Sequence, residues 1–365
     1  MTRTLLVTGA AGFIGSNFCH DWLDRHPADR LIGYDALTYA GNRANLAALA
    51  AHPGFRFVHA DIRDTACVSS LLREEGVDTL VHFAAESHVD RSITGPDAFI
   101  ETNVVGTHSL LKAAREVWLA GSGRPHRFHH VSTDEVYGSL EPDAPAFTET
   151  LAYAPNSPYS ASKAGSDYLV RAYHHTYGLE VSTSNCSNNY GPFHFPEKLI
   201  PLCITRLLAG EPLPIYGDGL NIRDWLYVTD HCRGIELVIE GGRPGESYNI
   251  GGNNEWANID IVNLLCDLAD EAFAADATLA ARFPAAPPAC GRSSRSLISF
   301  VKDRAGHDRR YAIDARKIMS ELGYLPAESF ETGIRKTLAW YLANEAWWRA
   351  IQDGSYLQAI GTDHD

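Results

Sequence analysis

The sequence lacks any run of about 18 uninterrupted apolar residues, the length a membrane-spanning helix needs. It has no internal repeat and no CxxC pair. Its 7 cysteines are odd in number and scattered, which argues against a disulfide framework or a zinc site and predicts reduced thiols. Positive charge is scarce: 31 Lys and Arg stand against 45 Asp and Glu, a formal net charge of −14. A surface of that sign is a poor partner for nucleic acid or an anionic membrane, though it leaves room for a local basic pocket. The opening MTRTLLVTGAAGFIGSN does not read as a signal peptide, because its apolar stretch is strand-sized and runs straight into glycines. A cytoplasmic protein with no membrane and no nucleic-acid partner is expected.

What is present is ordinary globular material, 45% hydrophobic and 21% charged over 365 residues. Strand-length apolar runs alternate with amphipathic helical segments. Strands are expected at Thr4 to Thr8, Leu31 to Tyr34, Phe55 to His59, Thr79 to Ala84, Phe128 to Ser132 and Glu180 to Ser184. Helices are expected at Phe13 to Arg25, Asp64 to Glu75, Asp97 to Ala120 and Tyr159 to Tyr177. That alternation predicts an α/β fold, a doubly wound parallel sheet of Rossmann type. After Asn185 the rhythm breaks: Pro192, Pro196, Pro201, Pro212 and Pro214 crowd among aromatics, as in a smaller mixed α/β substrate-binding domain. The helix Val228 to Glu240 and strand Ser247 to Ile250 return to the sheet. The expected division is 1–185 with 225–250 for the sheet domain, 186–224 with 251–330 for the second, and 331–365 for a C-terminal helix and tail. Trp340 to Trp348 lies in that helix, and Ala272 to Ser299 reads as a helix end followed by a long loop.

Gly9, Gly12 and Gly15 stand in GAAGFIG, directly after the first strand and opening the first helix. This is the turn that lets a dinucleotide pyrophosphate reach a helix N-terminus. Asp35 ends the second strand, where a carboxylate accepts from the adenosine ribose and repels a 2′-phosphate, so NAD is expected over NADP. Asp61 either contacts the adenine or caps the helix beginning near Asp64. Ala84 and Ala85 leave space for the cofactor backbone. Phe13, Ile14, Leu37, Thr38 and Ile62, beside these motifs, belong to the same expected cofactor-binding set.

Tyr159 and Lys163 in YSASK lie four apart and share a helix face. A free Tyr has a pKa near ~10, too high for a base at neutral pH. The Lys ammonium is expected to lower it and to hold the nicotinamide ribose. Thr133, Asp134 and Glu135 follow the fifth strand, at the carboxyl end where open sheets bind ligands. Hydride transfer needs only a hydroxyl there. Two adjacent carboxyls suit dehydration, which requires a base for a carbon acid and an acid for a departing hydroxyl; alternatively they merely cap the next helix.

TGAAGFIGSN, YDALTYAGN, DIRD, AAESHVDRSI, TNVVGT, VSTDEVYG, PYSASKA, NNYGPFHFPEKLIPL, YGDGLNIRDWLYV, YNIGG and DRAGHDRRYAID together resemble the nucleotide-sugar dehydratases of the extended short-chain dehydrogenase/reductase family. The likeness runs from about Thr4 to Leu342. It implies oxidation of dTDP-glucose at C4, elimination of water across C5 and C6, and hydride return to C6, with NAD tightly bound and regenerated. Tyr159 would take the 4-hydroxyl proton with Thr133 orienting the oxygen, Glu135 the C5 proton, and Asp134 would protonate the leaving hydroxyl. No step requires a metal. By motif, Ser87 and Asn188 match contacts to the sugar or diphosphate. Glu197, Lys198 and Leu199 match the segment along the nucleotide, and Pro214, Ile215 and Tyr216 the wall around the base. Arg223, Arg304, His307 and Asp308 match the diphosphate region, and Asn258 a further substrate position. The family also implies a homodimer built on Asp97 to Ala120 and Tyr159 to Tyr177. Ala10 and Ala305 depart from the usual Gly and Pro, and Ala272 to Ser299 is longer than usual. That stretch is either a floppy surface excursion, the favoured reading, or a cover over the nucleotide, which would leave thymine or uracil open. A UDP-glucose dehydratase or an NAD-dependent epimerase is the alternative within the family, but an epimerase has no use for the Asp134–Glu135 pair. A non-catalytic dinucleotide-binding protein is disfavoured because Tyr159, Lys163 and both acids are present.

Overall fold

The computed structural model describes residues 2–303 and 307–360. Apart from the edge run 55–59, the strand-length runs are largely buried on both faces, so they form a parallel sheet covered on either side. Its strands are β1 (Thr4–Thr8), β2 (Arg30–Asp35), β3 (Phe55–His59), β4 (Thr79–His82), β5 (Arg127–Thr133), β6 (Val181–Cys186) and β10 (Ser247–Ile250). Their order in space is β10-β6-β5-β4-β1-β2-β3, and every pair is parallel. Side chains alternate between the faces. Leu5 and Val7 pack with Phe18, Trp22, Ile235 and Tyr248, beneath helices Phe13–Arg25 and Val228–Gly241. Leu6 packs with Leu80, Leu110, Trp118, Phe128 and Val170, beneath helices 97–122 and Pro158–Tyr177. The helix 97–122 is wound as π turns over Ile100–Gly106 and Arg115–Ser122.

Register sets the strand ends level. Thr8 pairs with His82, His82 with His130, and Thr133 with Cys186. The chain leaves β1 toward β2 on one side, while β4 flanks it on the other. The crevice between them is the switch point where such sheets take ligands.

Beyond β6 the chain builds β7 (Asn188–Tyr190), β8 (Leu213–Tyr216) and β9 (Ile222–Tyr227). With β11 (Glu255–Ala257) and β12 (Ile298–Val301) these make a three-stranded sheet, β11-β9-β7, and a two-stranded one, β12-β8. Helices Leu199–Ala209, Asn258–Ala275 and Phe330–Ala343 close over them on a second core that includes Tyr190, Ile204, Trp225, Leu265, Phe330 and Trp348. No helix among the described residues is long and apolar enough to cross a membrane.

Two expectations are corrected. The C-terminal aromatics do not share one helix: Phe330–Ala343 ends, Asn344 breaks the line, and Glu345–Gln352 starts again. Nor is 272–299 a floppy excursion, and none of its residues lines the cleft described below. It forms a short helix Thr278–Arg282, turns at Pro287–Cys290 and Ser294–Leu297, and then β12. Leu279, Phe283 and Ala286 are buried. Asp270 accepts from the Ser294 amide (3.0 Å), the Ser294 hydroxyl (2.6 Å) and the Ser293 hydroxyl (2.9 Å). Arg295 pairs with Asp267 at 2.6 Å, and Arg282 reaches Glu345 at 3.1 Å.

Charged acceptors of this kind contribute more than neutral ones. Asp270→Ala is expected to cost about 1–3 kcal/mol. Thermal unfolding should shift down by a few degrees, and hydrogen exchange should rise across 283–297 while the β1–β6 sheet stays protected.

Candidate active site

At the end of β1 the backbone turns with Gly9 at φ +72°, a conformation L side chains rarely adopt. A carbon added at Gly9 would lie 2.6 Å from the Ala84 amide, and one at Gly15 would lie 2.1 Å from the Gly9 carbonyl oxygen. The helix that follows starts after Gly12 with no side-chain cap and no acid in its first turn. Its amide end therefore faces the crevice with positive polarity unspent. Asp35 is buried beside it. One carboxylate oxygen accepts from the Leu37 amide (2.8 Å) and the other from the Ala11 amide (2.9 Å). Burial pushes this carboxyl up and the two amides oppose the shift.

A single cleft of about 500 Å³ runs from here to the far end of the second unit. Gly9, Gly12, Phe13, Ile14 and Gly15 line it, with Asp35, Thr38, Asp61, Ile62, Ala84 and Ala85. Leu37 does not: its backbone takes φ 50° and its side chain packs into the core under the first helix. Asp61 does not cap the next helix; Asp64 does, accepting from the Cys67 amide. Asp61 instead pairs with Arg63 at 2.7 Å, which holds its carboxyl below the usual range.

The middle of the cleft is lined by Thr133, Asp134, Glu135, Tyr159 and Lys163. Thr133 ends β5 and its hydroxyl accepts from the Glu135 amide at 3.3 Å, capping the short turn Asp134–Tyr137. Asp134 is buried, with one oxygen 3.4 Å from the Thr133 hydroxyl and the other without a hydrogen-bond partner. Burial, then the neighbouring Glu135 and Asp224, push its carboxyl well above the usual range. Tyr159 opens helix Pro158–Tyr177, where Ser157 and Ser160 form a capping box and Pro158 sits in the first turn.

One expectation fails here. The Tyr159 phenol is pushed well up, first by burial and then by Glu135 and Cys186, with a Thr133 hydrogen bond opposing. Lys163 is not among the largest influences on it; its ammonium donates to the Val131 carbonyl at 2.8 Å and is itself disfavoured by burial.

Ser87, Asn188, Glu197, Lys198 and Leu199 line the same cleft, with Pro214, Ile215, Tyr216, Arg223, Asn258 and His307 toward its far end. Lys198 Nζ donates to the Ser87 carbonyl at 3.1 Å. Arg223 donates to the Asp308 carbonyl at 2.9 Å and lies 4.2 Å over the Tyr311 ring. Asp308 itself does not line the cleft; its carboxylate accepts from Asn156 and Tyr311 and fastens the loop. Arg304 lies outside the described residues. The Oδ1 atoms of Asn188 and Asn258, like the free oxygen of Asp134, are buried without a partner. Two unpaired amide acceptors and a free carboxyl oxygen in one cleft suit a ligand rich in hydroxyls.

Sequence reasoning missed Tyr39, Glu86, His88, His194, Phe195 and Tyr311, all in the lining. Each stands inside or beside a motif already singled out, but only the fold brings them together. Arg91 lies 3.7 Å over the Tyr39 ring and Phe13 stacks on His194 at 4.2 Å.

A parallel sheet with a glycine turn at its switch point, facing Tyr–Lys and paired acids, defines an enzyme of dinucleotide-assisted sugar chemistry. The chain belongs to the GDP-mannose 4,6 dehydratase family, whose model matches residues 6–337. Among its relatives is the dTDP-glucose 4,6-dehydratase of Xanthomonas campestris pv. campestris, 56% identical over 362 residues, 98% of this chain and 99% of that one. The dTDP-glucose 4,6-dehydratase of Salmonella typhimurium is 52% identical over 372 residues, covering 99% of each. The crystal structure of DesIV, a dTDP-glucose 4,6-dehydratase from Streptomyces venezuelae with NAD bound, superposes with a TM-score of 0.85 at 50% identity, covering 96% of this chain and 100% of that one.

Asp35→Asn would turn one acceptor into a donor facing a buried amide. It is expected to destabilise the protein by about 1–3 kcal/mol. Thermal unfolding without added ligand measures this; an unchanged midpoint would show that the two amides find other partners.

Proposed function

We propose that this protein converts dTDP-glucose to dTDP-4-keto-6-deoxyglucose with loss of one water, retaining one NAD through the cycle. The observation that carries the reading is the Asp134–Glu135 pair at the end of β5, both lining the cleft, with Asp134 buried and one of its oxygens unpaired. The cradle at Gly9, Gly12 and Gly15 fits a pyrophosphate, since any side-chain carbon at Gly9 or Gly15 would collide with backbone, and the uncapped helix end suits its charge. Asp35 and Thr38 face the adenosine ribose, and Lys163 the nicotinamide ribose. When bound, NAD supplies reversible uptake and return of one hydride.

The chain's own groups handle the protons. Tyr159 accepts the proton of the 4-hydroxyl while Thr133 orients that oxygen. The free protein keeps the phenol protonated, so this step awaits the positive charge that a bound nicotinamide brings to the cleft. A ketone at C4 makes the C5 hydrogen acidic, and Glu135 removes it; C5 regains a proton when the hydride is returned to C6. Asp134, protonated at neutral pH, donates to the C6 oxygen as water departs. Burial and the repulsion of a second carboxylate divide acid from base between two adjacent residues.

Arg223, Lys198, Asn188 and Asn258 take the diphosphate and sugar, with Ser87, Glu197, Leu199, Pro214, Ile215, Tyr216 and His307 around the nucleotide. Thymidine is favoured over uridine on the relatives' specificity, and 272–299, its Arg282 and Arg295 paired elsewhere, has no part in the choice. We assign the dinucleotide to 1–185 with 225–250, and the sugar nucleotide to 186–224 with 251–330, leaving 331–365 as the C-terminal helices and tail. We further place the protein in the cytoplasm as a homodimer across 97–122 and Pro158–Tyr177, where Ile100, Val105 and Tyr168 are exposed.

Mass spectrometry of dTDP-glucose and UDP-glucose, each incubated without added reductant, tests the reading. Loss of one water from dTDP-glucose is expected, and an unchanged mass would overturn it. Glu135→Gln should lower product formation about 100-fold or more while C4 oxidation persists. Product at the parent rate would remove Glu135 as the base.

A further inference from the structure

Between β7 and helix Leu199–Ala209 the chain runs through residues 191–198, which belong to neither a helix nor a strand. His194, Phe195, Glu197 and Lys198 of this segment line the cleft. The segment touches all three strand-end loops that border the switch point. At the β1 turn the His194 ring stacks on Phe13, with centroids 4.2 Å apart. At the β2 loop Phe195 meets the Tyr39 ring edge-on at 5.8 Å. At the β4 exit Lys198 Nζ donates to the Ser87 carbonyl at 3.1 Å, and Arg91 reaches Glu197 at 3.5 Å.

The backbone bends sharply to make these contacts. Gly191 takes φ +144°, where a side-chain carbon would lie 2.7 Å from Val228 Cγ1. Phe193 takes φ +64°, a region few residues other than glycine occupy. Its ring is held from outside, edge-on to Trp340 at 5.0 Å and stacked with His20 at 5.9 Å. The next carbonyl, that of His194, accepts from the buried Tyr341 hydroxyl.

The tie to the sheet domain is Asn17, on helix Phe13–Arg25. It is buried and absent from the cleft lining. Its Nδ2 donates to the Phe13 carbonyl at 2.9 Å and to the Pro192 carbonyl at 2.9 Å, 175 residues further along the chain. One side-chain amide thus spends both hydrogens joining the glycine turn to the segment that crosses it. The chemistry proposed above does not use it.

We propose that residues 191–198 are a strap that retains the dinucleotide, and that Asn17 is the positioning residue that pins it. The proposal rests on the reading of the cleft as an NAD site and gives the physical reason for retention through the cycle. A segment with no ladder of its own opens at lower cost than the sheet beneath it, so side-chain ties set how often it lifts. Lifting parts His194 from Phe13, Phe195 from Tyr39 and Glu197 from Arg91 together, and so clears the border of the crevice at three loops. Asn17 acts on this equilibrium through the Pro192 carbonyl.

The test reads exchange, without substrate. Protein loaded with NAD deuterated on the nicotinamide ring is mixed with excess unlabelled NAD, and retained label is read by mass spectrometry of the nucleotide freed on denaturation. Asn17→Ala should speed label loss about 10-fold. Tyr341→Phe, which removes the tie on the other side of the strap, should speed it about 3- to 10-fold. With NAD saturating, kcat and the KM for dTDP-glucose should stay within about twofold in both variants, since neither residue lines the cleft and the strap remains closed most of the time. Exchange at the parent rate in both variants overturns the strap. Faster exchange with an equal fall in kcat at saturating NAD is general damage to the cleft and overturns it as well. Should Asn17→Ala fail to fold, Tyr341→Phe decides, and parent-rate exchange there overturns the proposal. Strap-dependent exchange in a protein that leaves dTDP-glucose unchanged in mass overturns the dehydratase reading alone. Water loss at the parent rate with unmoved exchange in the variants overturns the strap alone, and a protein that takes up no NAD overturns both.

Discussion

Backbone meets backbone at the foot of the cleft, where a carbon on Gly15 would come within 2.1 Å of the Gly9 oxygen and one on Gly9 within 2.6 Å of the Ala84 amide. This contact positions the rest. It lets helix Phe13–Arg25 begin directly at the sheet's end, so that its uncapped amides open onto the gap between β1 and β4. It also brings the β4 exit, Ala84 and Ala85, against the turn. Because the parallel register keeps Thr8, His82 and His130 level, the end of β5 then stands a fixed distance across the gap. Thr133, Asp134 and Glu135 are placed by the same rigid strand.

Charge in this site is governed by how each carboxyl is partnered after burial. Asp134 and Asp167 are both sealed in the protein. Asp134 has another acid beside it and one oxygen without a partner, and its carboxyl is pushed well above the usual range. Asp167 has no second acid beside it and accepts from the Ser132 hydroxyl at 2.8 Å, and burial pushes its carboxyl up to about 6 with Lys163 opposing. The desolvation cost is common to both; the neighbours decide the outcome. The acidic net charge of the chain is no guide to either.

Much of this was legible in the sequence because the central strands β1, β2 and β4 are buried on both faces and read as short, mostly apolar runs, TLLVT, RLIGYD and TLVH. Phe55–His59, Ser247–Ile250 and helix Phe13–Arg25 fall where the pattern puts them. The glycine turn and the Tyr159–Lys163 spacing likewise need only local geometry. What escaped depends on partners far along the chain. Ala272 to Ser299 looks loose by composition, yet Arg295 finds Asp267 and Ser294 finds Asp270 on an adjacent helix. The direction of the Tyr159 shift escaped as well, since spacing on a helix does not reveal that Lys163 Nζ settles on the Val131 carbonyl. Asn344, which breaks the C-terminal helix, carries no glycine or proline signal.

The loop after β2 has one more tie. The Tyr39 carbonyl accepts from the Tyr356 hydroxyl at 2.5 Å, across 317 residues, and Asn45 accepts from the Trp347 indole at 2.7 Å. This wall of the cleft is thus pinned by residues more than 300 positions further along the chain. During synthesis the glycine cradle can form while its outer wall still lacks these fastenings.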